Sequence, residues 1–216
     1  MLVAGGGRVE HLRTVQRWRQ RNQRGEGARL KDELIEAAMR ILDKAPGVQL
    51  SLRMVAKEAG VAAPSVYRHF PDAKATMAEI VLQCWSQLGD RLVRASLDAG
   101  QGSPLDALKA EMSAFVRYAM ERPSRYQLLF ALSSDPEHDL EGPVRPAFRP
   151  IRESVEAIAA GGGKVPTGNS FAAALMLLSL AHGRIGLAHL APNRRGNHAA
   201  GVEAFVLETL EILFGA

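Results

Sequence analysis

The sequence predicts an all-α fold in which a small N-terminal module of three helices precedes a larger helical body. Apolar residues recur at the spacing of an amphipathic helix from about residue 28 to residue 214. Glycine and proline runs, such as Pro46-Gly47 and Gly161-Gly162-Gly163, interrupt that spacing where helices are expected to end. No segment alternates apolar and polar residues as a strand does, and 47% hydrophobic residues among 216 are enough for a large core.

A pair of short helices is predicted between Ser51 and Lys74. Ser51 can cap the first, Gly60 tolerates the left-handed conformation that ends it, and Pro64 fits the first turn of the second. In the second helix, Val66 and Phe70 lie one turn apart and are expected to face the core. The other side chains then face solvent: Ala63, Pro64, Ser65, Tyr67, Arg68 and His69. This layout is typical of a helix-turn-helix whose second helix reads the DNA major groove.

The same segment resembles the DNA-binding signature of the tetracycline-repressor (TetR) family. The resemblance is carried by Arg53-Met-Val-Ala-Lys-Glu-Ala-Gly-Val61 and Pro64-Ser-Val-Tyr-Arg-His-Phe70, and it extends over about residues 28 to 80. It implies that five side chains contact phosphates or bases: Ser51, Arg53, Ser65, Tyr67 and His69. With the neighbouring exposed positions added, the candidate DNA-binding residues are Ser51, Arg53, Ala63, Pro64, Ser65, Tyr67, Arg68, His69 and Lys74.

Two positions depart from the family pattern. Ala62 stands where a small polar residue usually begins the reading helix, so we expect one cap and one phosphate contact to be lost. Ala73 stands where a lysine is usual, and Lys74 follows one place later. A pair of helices that only packs is the competing interpretation of this segment.

Basic residues are concentrated at the N-terminal end. Up to Lys74 the chain has 14 Lys and Arg against 8 Asp and Glu, whereas the remainder has 13 against 15. A polyanion is therefore the expected partner of that end alone. Residues 1–27 are rich in arginine and poor in apolar anchors, so we expect a disordered basic arm. The arm either lies along phosphates or in a minor groove, or it is a solvated tail.

Helical spacing predicts further helices along the chain. The expected ranges are 28–44, a long connecting helix at 73–99, and body helices at 104–121, 123–132, 144–160, 170–190 and 199–214. We therefore expect a basic arm at 1–27, a helix-turn-helix DNA-binding domain at 28–74, and a helical effector-binding and dimerisation domain at 75–216.

The last two helices are more apolar than the outer shell of a monomer requires. Joined to their symmetry mates they would form a four-helix dimer interface, as the resemblance to TetR-type proteins also implies. The alternative is that both helices only complete the core of one chain. A homodimer would hold two reading helices apart for successive major grooves, which requires a palindromic double-stranded DNA operator.

An apolar effector pocket is predicted in the body from aromatic and methionine side chains, which form adaptable walls of ligand sites. A filled core is the ordinary alternative. The pocket depends on the TetR resemblance, since members of that family typically release DNA when a small molecule binds. The candidate ligand-binding residues are Trp85, Met112, Phe115, Tyr118, Tyr126, Phe130, Met176 and His182.

Several functional classes lack support in the sequence. No phosphate loop, nucleophile elbow or spaced carboxylate pair is present, so we expect neither enzymatic activity nor a cofactor. His182 and His189 lie two helical turns apart, but no third metal ligand accompanies them. The most apolar run, 171–180, is about half a membrane span, and no secretory signal is found. The lone Cys84 excludes an intrachain disulfide and fits a cytoplasmic protein without membrane contact.

These observations favour a homodimeric TetR-type transcriptional regulator, most simply a repressor that a small apolar or aromatic effector releases from its operator. Two alternative functions belong to other classes of protein. A chromosome-coating protein would bind random duplex as well as any chosen site. A lipid-handling protein or an enzyme with a vestigial DNA-binding module would have no operator. The sequence names neither the operator, the effector nor the regulated genes.

Overall fold

The computed structural model describes residues 26–45, 48–100, 102–131 and 145–215. Within these ranges the regular elements are nine α-helices and one short 3-10 turn, with no strand, which confirms the all-α prediction. The predicted basic arm, residues 1–27, lies almost wholly outside the described residues. The helices are α1 Glu26–Lys44, α2 Leu52–Ala59, α3 Ala63–Tyr67, α4 Ala73–Asp98, α5 Pro104–Glu121, α6 Pro123–Ala131, α7 Arg145–Ala160, α8 Ser170–Leu190 and α9 Ala199–Phe214.

Local sequence signals place the helix ends close to their expected positions. The Ser51 hydroxyl accepts a hydrogen bond from an amide in the first turn of α2 at 3.3 Å, and Gly60 ends that helix with a φ of 69°. Ala62 precedes α3 without a side-chain cap, as expected from its apolar side chain. At the start of α5, the Ser103 and Asp106 side chains form a capping box.

The three N-terminal helices pack through the apolar face of each. Leu34 and Ala38 of α1, Val55 of α2 and Val66 of α3 are fully buried, and so is Phe70 just after α3. Burying one large apolar side chain contributes about 1.5–3 kcal/mol to folding. This small core fixes α2 and α3 against α1.

The 26-residue helix α4 connects the N-terminal module to the body. It packs against α1, α5, α6 and α7, and one continuous apolar core runs from α1 to α9. Helical spacing predicts an inner apolar stripe on α4 that consists of Met77, Ile80, Val81, Cys84, Trp85, Leu88, Leu92 and Val93. All of these side chains are buried or half-buried except Val93, which is 37% exposed and borders a cavity near the end of α4.

The single cysteine, Cys84, is fully buried on α4. Burial raises the pKa of its thiol to about 11, because a thiolate would lose its hydration there. The thiol is therefore protonated at neutral pH and packs as a small apolar group, as the sequence suggested.

In the described ranges, α8 is the one helix that is long and apolar enough to cross a membrane, by length and composition alone. Its mean hydropathy is 1.5, and 39% of the apolar window is buried inside the protein. The helix matches the predicted range 170–190, of which the 171–180 run is the most apolar part. The buried side of α8 packs against α5, α7 and α9, and core helices of soluble proteins satisfy the same criteria of length and composition.

α4 and α7 cross so closely that Gly89 has no space for a side chain. A Cβ atom at Gly89 would lie 2.3 Å from the carbonyl oxygen of Pro146 and 2.6 Å from its carbonyl carbon. These are backbone atoms, which cannot move aside as the end of a flexible side chain can. This position therefore fixes the separation of two helices that form much of the body's core.

We expect Gly89→Ala to lower the free energy of unfolding by about 1–3 kcal/mol, because α4 and α7 must separate to admit the methyl group. Gly27→Ala is the matched control, since the nearest atom to its Cβ lies 3.9 Å away. Alanine there should be neutral or stabilising by up to about 1 kcal/mol. Chemical denaturation followed by circular dichroism measures both variants, and equal stabilities would contradict the close crossing.

Candidate DNA-binding surface and effector site

α2 and α3 form a helix-turn-helix whose second helix is short and reaches solvent along one side. α3 has five residues, Ala63–Tyr67, and Val66 on its inner side is fully buried. Tyr67 is 52% exposed, and the side chains of Pro64 and Arg68 are exposed as well. Three positions are less open than helical spacing predicted, being half-buried: Ala63, Ser65 and His69.

The other predicted DNA-binding residues lie at the starts of the neighbouring helices. Ser51 and Arg53, at the start of α2, and Lys74, in the first turn of α4, are exposed. The Ser51 oxygen caps α2, which leaves its hydroxyl proton free to donate. The Arg68 guanidinium donates to the Ser65 hydroxyl at 3.3 Å, a contact at the exposed end of α3.

Basic side chains near α3 differ from those of α1 in their ion pairing. The four basic side chains of α1 each meet a carboxylate at 2.7 to 3.2 Å: Arg29 with Glu33, Lys31 with Glu79, and Arg40 and Lys44 with Glu58. Among the described residues, Arg53, Lys57, Arg68 and Lys74 have no carboxylate within ion-pair distance. The helix-turn-helix and the first turn of α4 therefore carry four exposed basic side chains without an ion-pair partner among the described residues, which favours a polyanionic partner.

Lys57 is a candidate contact that the sequence interpretation missed. It lies one helical turn after Arg53 on α2, and both side chains are exposed. Residues four apart on a helix share a face, so the two charges lie on the same side of α2. This spacing is the signal that would have identified Lys57 from the sequence.

Five of the eight predicted ligand-binding residues meet in one aromatic cluster, defined here as Trp85, Phe115, Tyr126, Phe130 and His182. The ring centroids of Trp85 and Phe130 lie 5.5 Å apart, those of Phe115 and Tyr126 5.8 Å, and those of Phe130 and His182 3.9 Å. The Tyr126 hydroxyl and Nδ1 of His182 share a hydrogen bond at 2.8 Å. The rings contact one another directly, so the cluster is packed in this structure.

The other three predicted ligand-binding residues are not part of these ring contacts. Met112 is fully buried in the core, and Met176 is half-buried on α8. The Tyr118 ring lies under the Arg91 guanidinium, 5.4 Å from its centroid, and borders a polar groove that also includes Arg94. Tyr118 therefore borders charged side chains, unlike the apolar lining predicted for an effector pocket.

Burial determines the protonation of the histidines near the aromatic cluster. Desolvation lowers the pKa of His182, and the neighbouring His189 acts in the same direction. Desolvation also lowers the pKa of His189, against an opposing contribution from the Ala119 backbone. Both imidazoles are therefore neutral at pH 7. In the described part of the chain, no group of three or more His, Cys, Asp or Glu is arranged to hold a metal ion.

A partly buried ion pair links α6 to α1. Arg125 is 4% exposed and donates to Asp43 through Nε, 2.9 Å from Oδ1, and through Nη2, 2.6 Å from Oδ2. It also donates to Gln87 at 3.3 Å, and the Gln87 amide donates to Glu36 of α1 at 3.1 Å. The network joins α6, which carries Tyr126, to α1, on which the helix-turn-helix of α2 and α3 packs. Sequence reasoning did not find it, because the two ends of the ion pair are 82 residues apart.

The outer faces of α8 and α9 expose large apolar side chains. Leu187 is 62% exposed and Ile212 74%. The Arg184 guanidinium of α8 lies 5.7 Å from the ring centroid of Phe205 on α9, so the two faces adjoin. The exposed large apolar residues of these helices are Phe171, Leu180, Leu187, Leu190, Phe205 and Ile212.

Two family profiles match the chain. The profile described as "Bacterial regulatory proteins, tetR family" matches residues 34–81, and the profile described as "Tetracyclin repressor-like, C-terminal domain" matches residues 108–211. The first spans α2, α3 and the start of α4, and the second covers most of the body. No protein of curated function matches the sequence.

Solved structures share the fold. A protein of Mesorhizobium loti MAFF303099 assigned to the TetR family matches with a TM-score of 0.68 and 22% identity, over 90% of this chain and 100% of that one. A protein of unknown function from Rhodococcus sp. RHA1 matches with a TM-score of 0.71 and 21% identity, over 87% and 96%. RolR, in complex with resorcinol, matches with a TM-score of 0.59 and 12% identity, over 88% and 90%.

At these identities the solved structures show a common fold, and the sequence profiles carry the assignment. The two profiles together span more than half of the sequence, one over the helix-turn-helix and the other over the body. The chain belongs to the TetR family of transcriptional regulators.

Proposed function

We propose that this TetR-family regulator is a repressor, which binds a palindromic operator as a homodimer and leaves it when a small apolar or aromatic effector binds. The observation that carries the proposal is a helix-turn-helix with an exposed side of α3 and, from α2 to the first turn of α4, four exposed basic side chains that no described carboxylate neutralises. Phosphate attraction supplies most of the affinity of such a surface for duplex DNA. The proposal places the protein in the cytoplasm with its DNA and requires neither catalysis nor a cofactor.

In the proposed complex, α3 enters the major groove. Tyr67 and Arg68 are the side chains best placed to reach base edges, because they are exposed at the end of the helix. Ala63 and Pro64 offer no donors, so specificity rests on few side chains and on DNA shape. The proposed contacts to phosphates and groove edges are Ser51, Arg53, Lys57, Ser65, His69 and Lys74.

The proposed domains are a DNA-binding domain at 28–74, an effector-binding and dimerisation domain at 75–216, and a basic arm at 1–27 beside the operator. α4 belongs to both domains, since Ala73–Asp98 is one uninterrupted helix. Movement of α4 within the body therefore also moves the helix-turn-helix.

The exposed apolar faces of α8 and α9 are the proposed dimer interface. Leu180 and Leu187 lie two turns apart on α8, and Phe205 and Ile212 lie two turns apart on α9, so each helix carries an exposed apolar stripe. Contiguous exposed apolar surface is typical of protein interfaces. Twofold pairing of the stripes would make a four-helix interface and set two copies of α3 apart for successive grooves.

The aromatic cluster is the proposed effector site. Its walls are rings, and its polar pair of Tyr126 and His182 suits a small aromatic molecule with a hydroxyl or carbonyl group. RolR, which shares the fold, forms a complex with resorcinol, a molecule of this class. An effector in the cluster must separate Phe130 from His182, whose ring centroids lie 3.9 Å apart.

α6 is the proposed link from the effector to DNA. It carries Tyr126 and Phe130 beside Arg125, whose ion pair with Asp43 connects it to α1. A displaced α6 would therefore strain or break that pair. The effector then favours a dimer in which the two α3 helices do not match successive grooves, which is a population shift.

Genomic pull-down with the full chain should recover operator fragments, and single substitutions should then weaken binding to them. We expect Arg53→Ala and Tyr67→Ala to cost about 1–3 kcal/mol, which corresponds to roughly a fivefold to 150-fold rise in Kd. Lys57→Ala should weaken binding to all duplexes similarly and reduce the salt slope by about one, because it removes a phosphate contact.

Arg149→Ala is the control for these substitutions, since Arg149 is exposed on α7 outside the proposed surface. Fluorescence anisotropy against recovered and random duplexes at several salt concentrations measures all four proteins. Equal affinity for random duplex would favour a chromosome-coating protein, and an affinity that salt does not change would contradict binding through phosphates.

A charge in the apolar stripe of α8 should dissociate the dimer. We expect Leu187→Glu to produce a folded monomer with operator affinity reduced by at least about tenfold, because two half-sites are then no longer bound together. Leu82→Glu is the matched control, as Leu82 is a 49% exposed leucine of α4 outside the stripe. Analytical ultracentrifugation gives the mass, and a dimeric Leu187→Glu protein would place the interface elsewhere.

The Arg125–Asp43 pair should show strong energetic coupling. Asp43→Asn leaves a buried guanidinium without its carboxylate, and we expect a loss of about 1–3 kcal/mol, less than for a fully buried pair because the Asp43 side chain is 35% exposed. A double-mutant cycle with Arg125→Gln, measured by urea denaturation, should give a coupling of at least about 1 kcal/mol. The exposed Arg149–Glu153 pair is the control, with an expected value below about 0.5 kcal/mol. Similar couplings in both pairs would argue against α6 as the link.

A further inference from the structure

A cavity of about 410 Å³ lies between the end of α4, the start of α5 and α7. Apolar side chains, among them Val93, Leu97 and Ala157, form part of its wall. No member of the aromatic cluster borders it, so this space is separate from the proposed effector site. Its volume falls within the range of small-molecule sites, about 300–1,000 Å³.

Glu111 brings a buried carboxylate to this cavity. Its side chain is 1% exposed, and Oε1 accepts a hydrogen bond from the Ser154 hydroxyl at 2.9 Å. Oε2 is also buried and has no hydrogen-bond partner among the described residues. A buried polar atom without a partner is unfavourable and rare in folded proteins, so a carboxylate oxygen in this state requires an explanation.

The surroundings of Glu111 leave its charge uncompensated. Burial raises the pKa of its carboxyl to about 7, and Glu153 acts in the same direction, whereas the Ser154 and Ser96 hydroxyls oppose the shift. Ser96 and Ser154 are hydroxyl donors to the carboxylate from α4 and α7, and no described lysine, arginine or histidine borders the cavity. Oε2 therefore has no hydrogen-bond partner, and the carboxylate no countercharge, among the described residues.

We propose that this cavity is a second ligand site, which takes a small organic amine whose ammonium group pairs with Oε2 of Glu111 while its apolar body lies against Val93, Leu97 and Ala157. An ammonium group supplies both the missing hydrogen bond and the missing charge. An alcohol of the same shape supplies only the hydrogen bond. A carboxylate ligand would be repelled by Glu111 and by Glu153 at the mouth.

The test uses the full-length protein and phenethylamine, with its longer homologues phenylpropylamine and phenylbutylamine, against phenethyl alcohol and hydrocinnamate. Isothermal titration at about pH 8, where a carboxyl with a pKa near 7 is ionised, should show the amines binding at least about tenfold more tightly than the alcohol and no binding of the carboxylate. Amine affinity should fall as the pH drops below about 7, since protonation of Glu111 removes its charge while the amine stays protonated.

Two variants locate the site. Glu111→Gln should bind the amines at least about tenfold more weakly without the pH dependence, and Ala157→Trp should block the cavity while Glu111 remains. Glu121→Gln, at an exposed glutamate of α5 outside the cavity lining, is the control. Equal amine binding by wild type and Glu111→Gln, equal binding of amine and alcohol, or no amine binding at millimolar concentration would each overturn the proposal.

Stability provides an independent measurement. Because the pKa of Glu111 in the folded state exceeds its ordinary value of 4.5, wild type should lose stability relative to Glu111→Gln as the pH rises from about 5 to 8. A bound amine should restore that loss, whereas an unchanged difference with amine present would contradict pairing at Oε2. Operator binding without any amine is measured separately, so failure of this site is distinguishable from failure of the proposed repressor.

Discussion

α4 contributes to the packing of the N-terminal module and to that of the body, so neither can shift without the other. At α1 it is held by the ion pair of Lys31 with Glu79 and by the hydrogen bond of Gln87 to Glu36. At α7 it is held by the close crossing at Gly89, where backbone meets backbone. A helix held to α1 on one side and to α7 on the other moves together with both, and it connects the helix-turn-helix, the aromatic cluster and the Glu111 cavity.

The pairing of charged side chains differs between α1, the helix-turn-helix and the buried parts of the protein. Basic side chains of α1 are paired with carboxylates, whereas Arg53 and Lys57 of α2 meet none among the described residues. Arg125 is buried and engaged with Asp43, while Glu111 is buried with one oxygen that has no hydrogen-bond partner in the described ranges. An exposed charge is hydrated and costs little, but a buried polar atom without a partner lowers stability, so the retention of Glu111 points to a partner outside the chain.

Features that depend on residues close together in the sequence were predictable. Contacts between residues far apart in the sequence were not. Ser51 and Gly60 determine the ends of α2 within a few positions, so the helix-turn-helix was predictable in detail. Residue type singled out every member of the aromatic cluster, together with three residues outside it, but the tight packing of those rings depends on four converging helices. The ion pair of Arg125 and the crossing at Gly89 join residues far apart in the chain, and no spacing rule connects them.

The enclosure of Cys84 has a practical consequence. It is the only cysteine in the sequence, and its thiol is protonated and covered by the core, so the folded protein presents no thiolate to alkylating reagents. A cysteine introduced on α2 or α3 would therefore be the one residue that a nitroxide spin label modifies. In a homodimer, electron paramagnetic resonance would then measure a single distance between the two labels, with and without DNA.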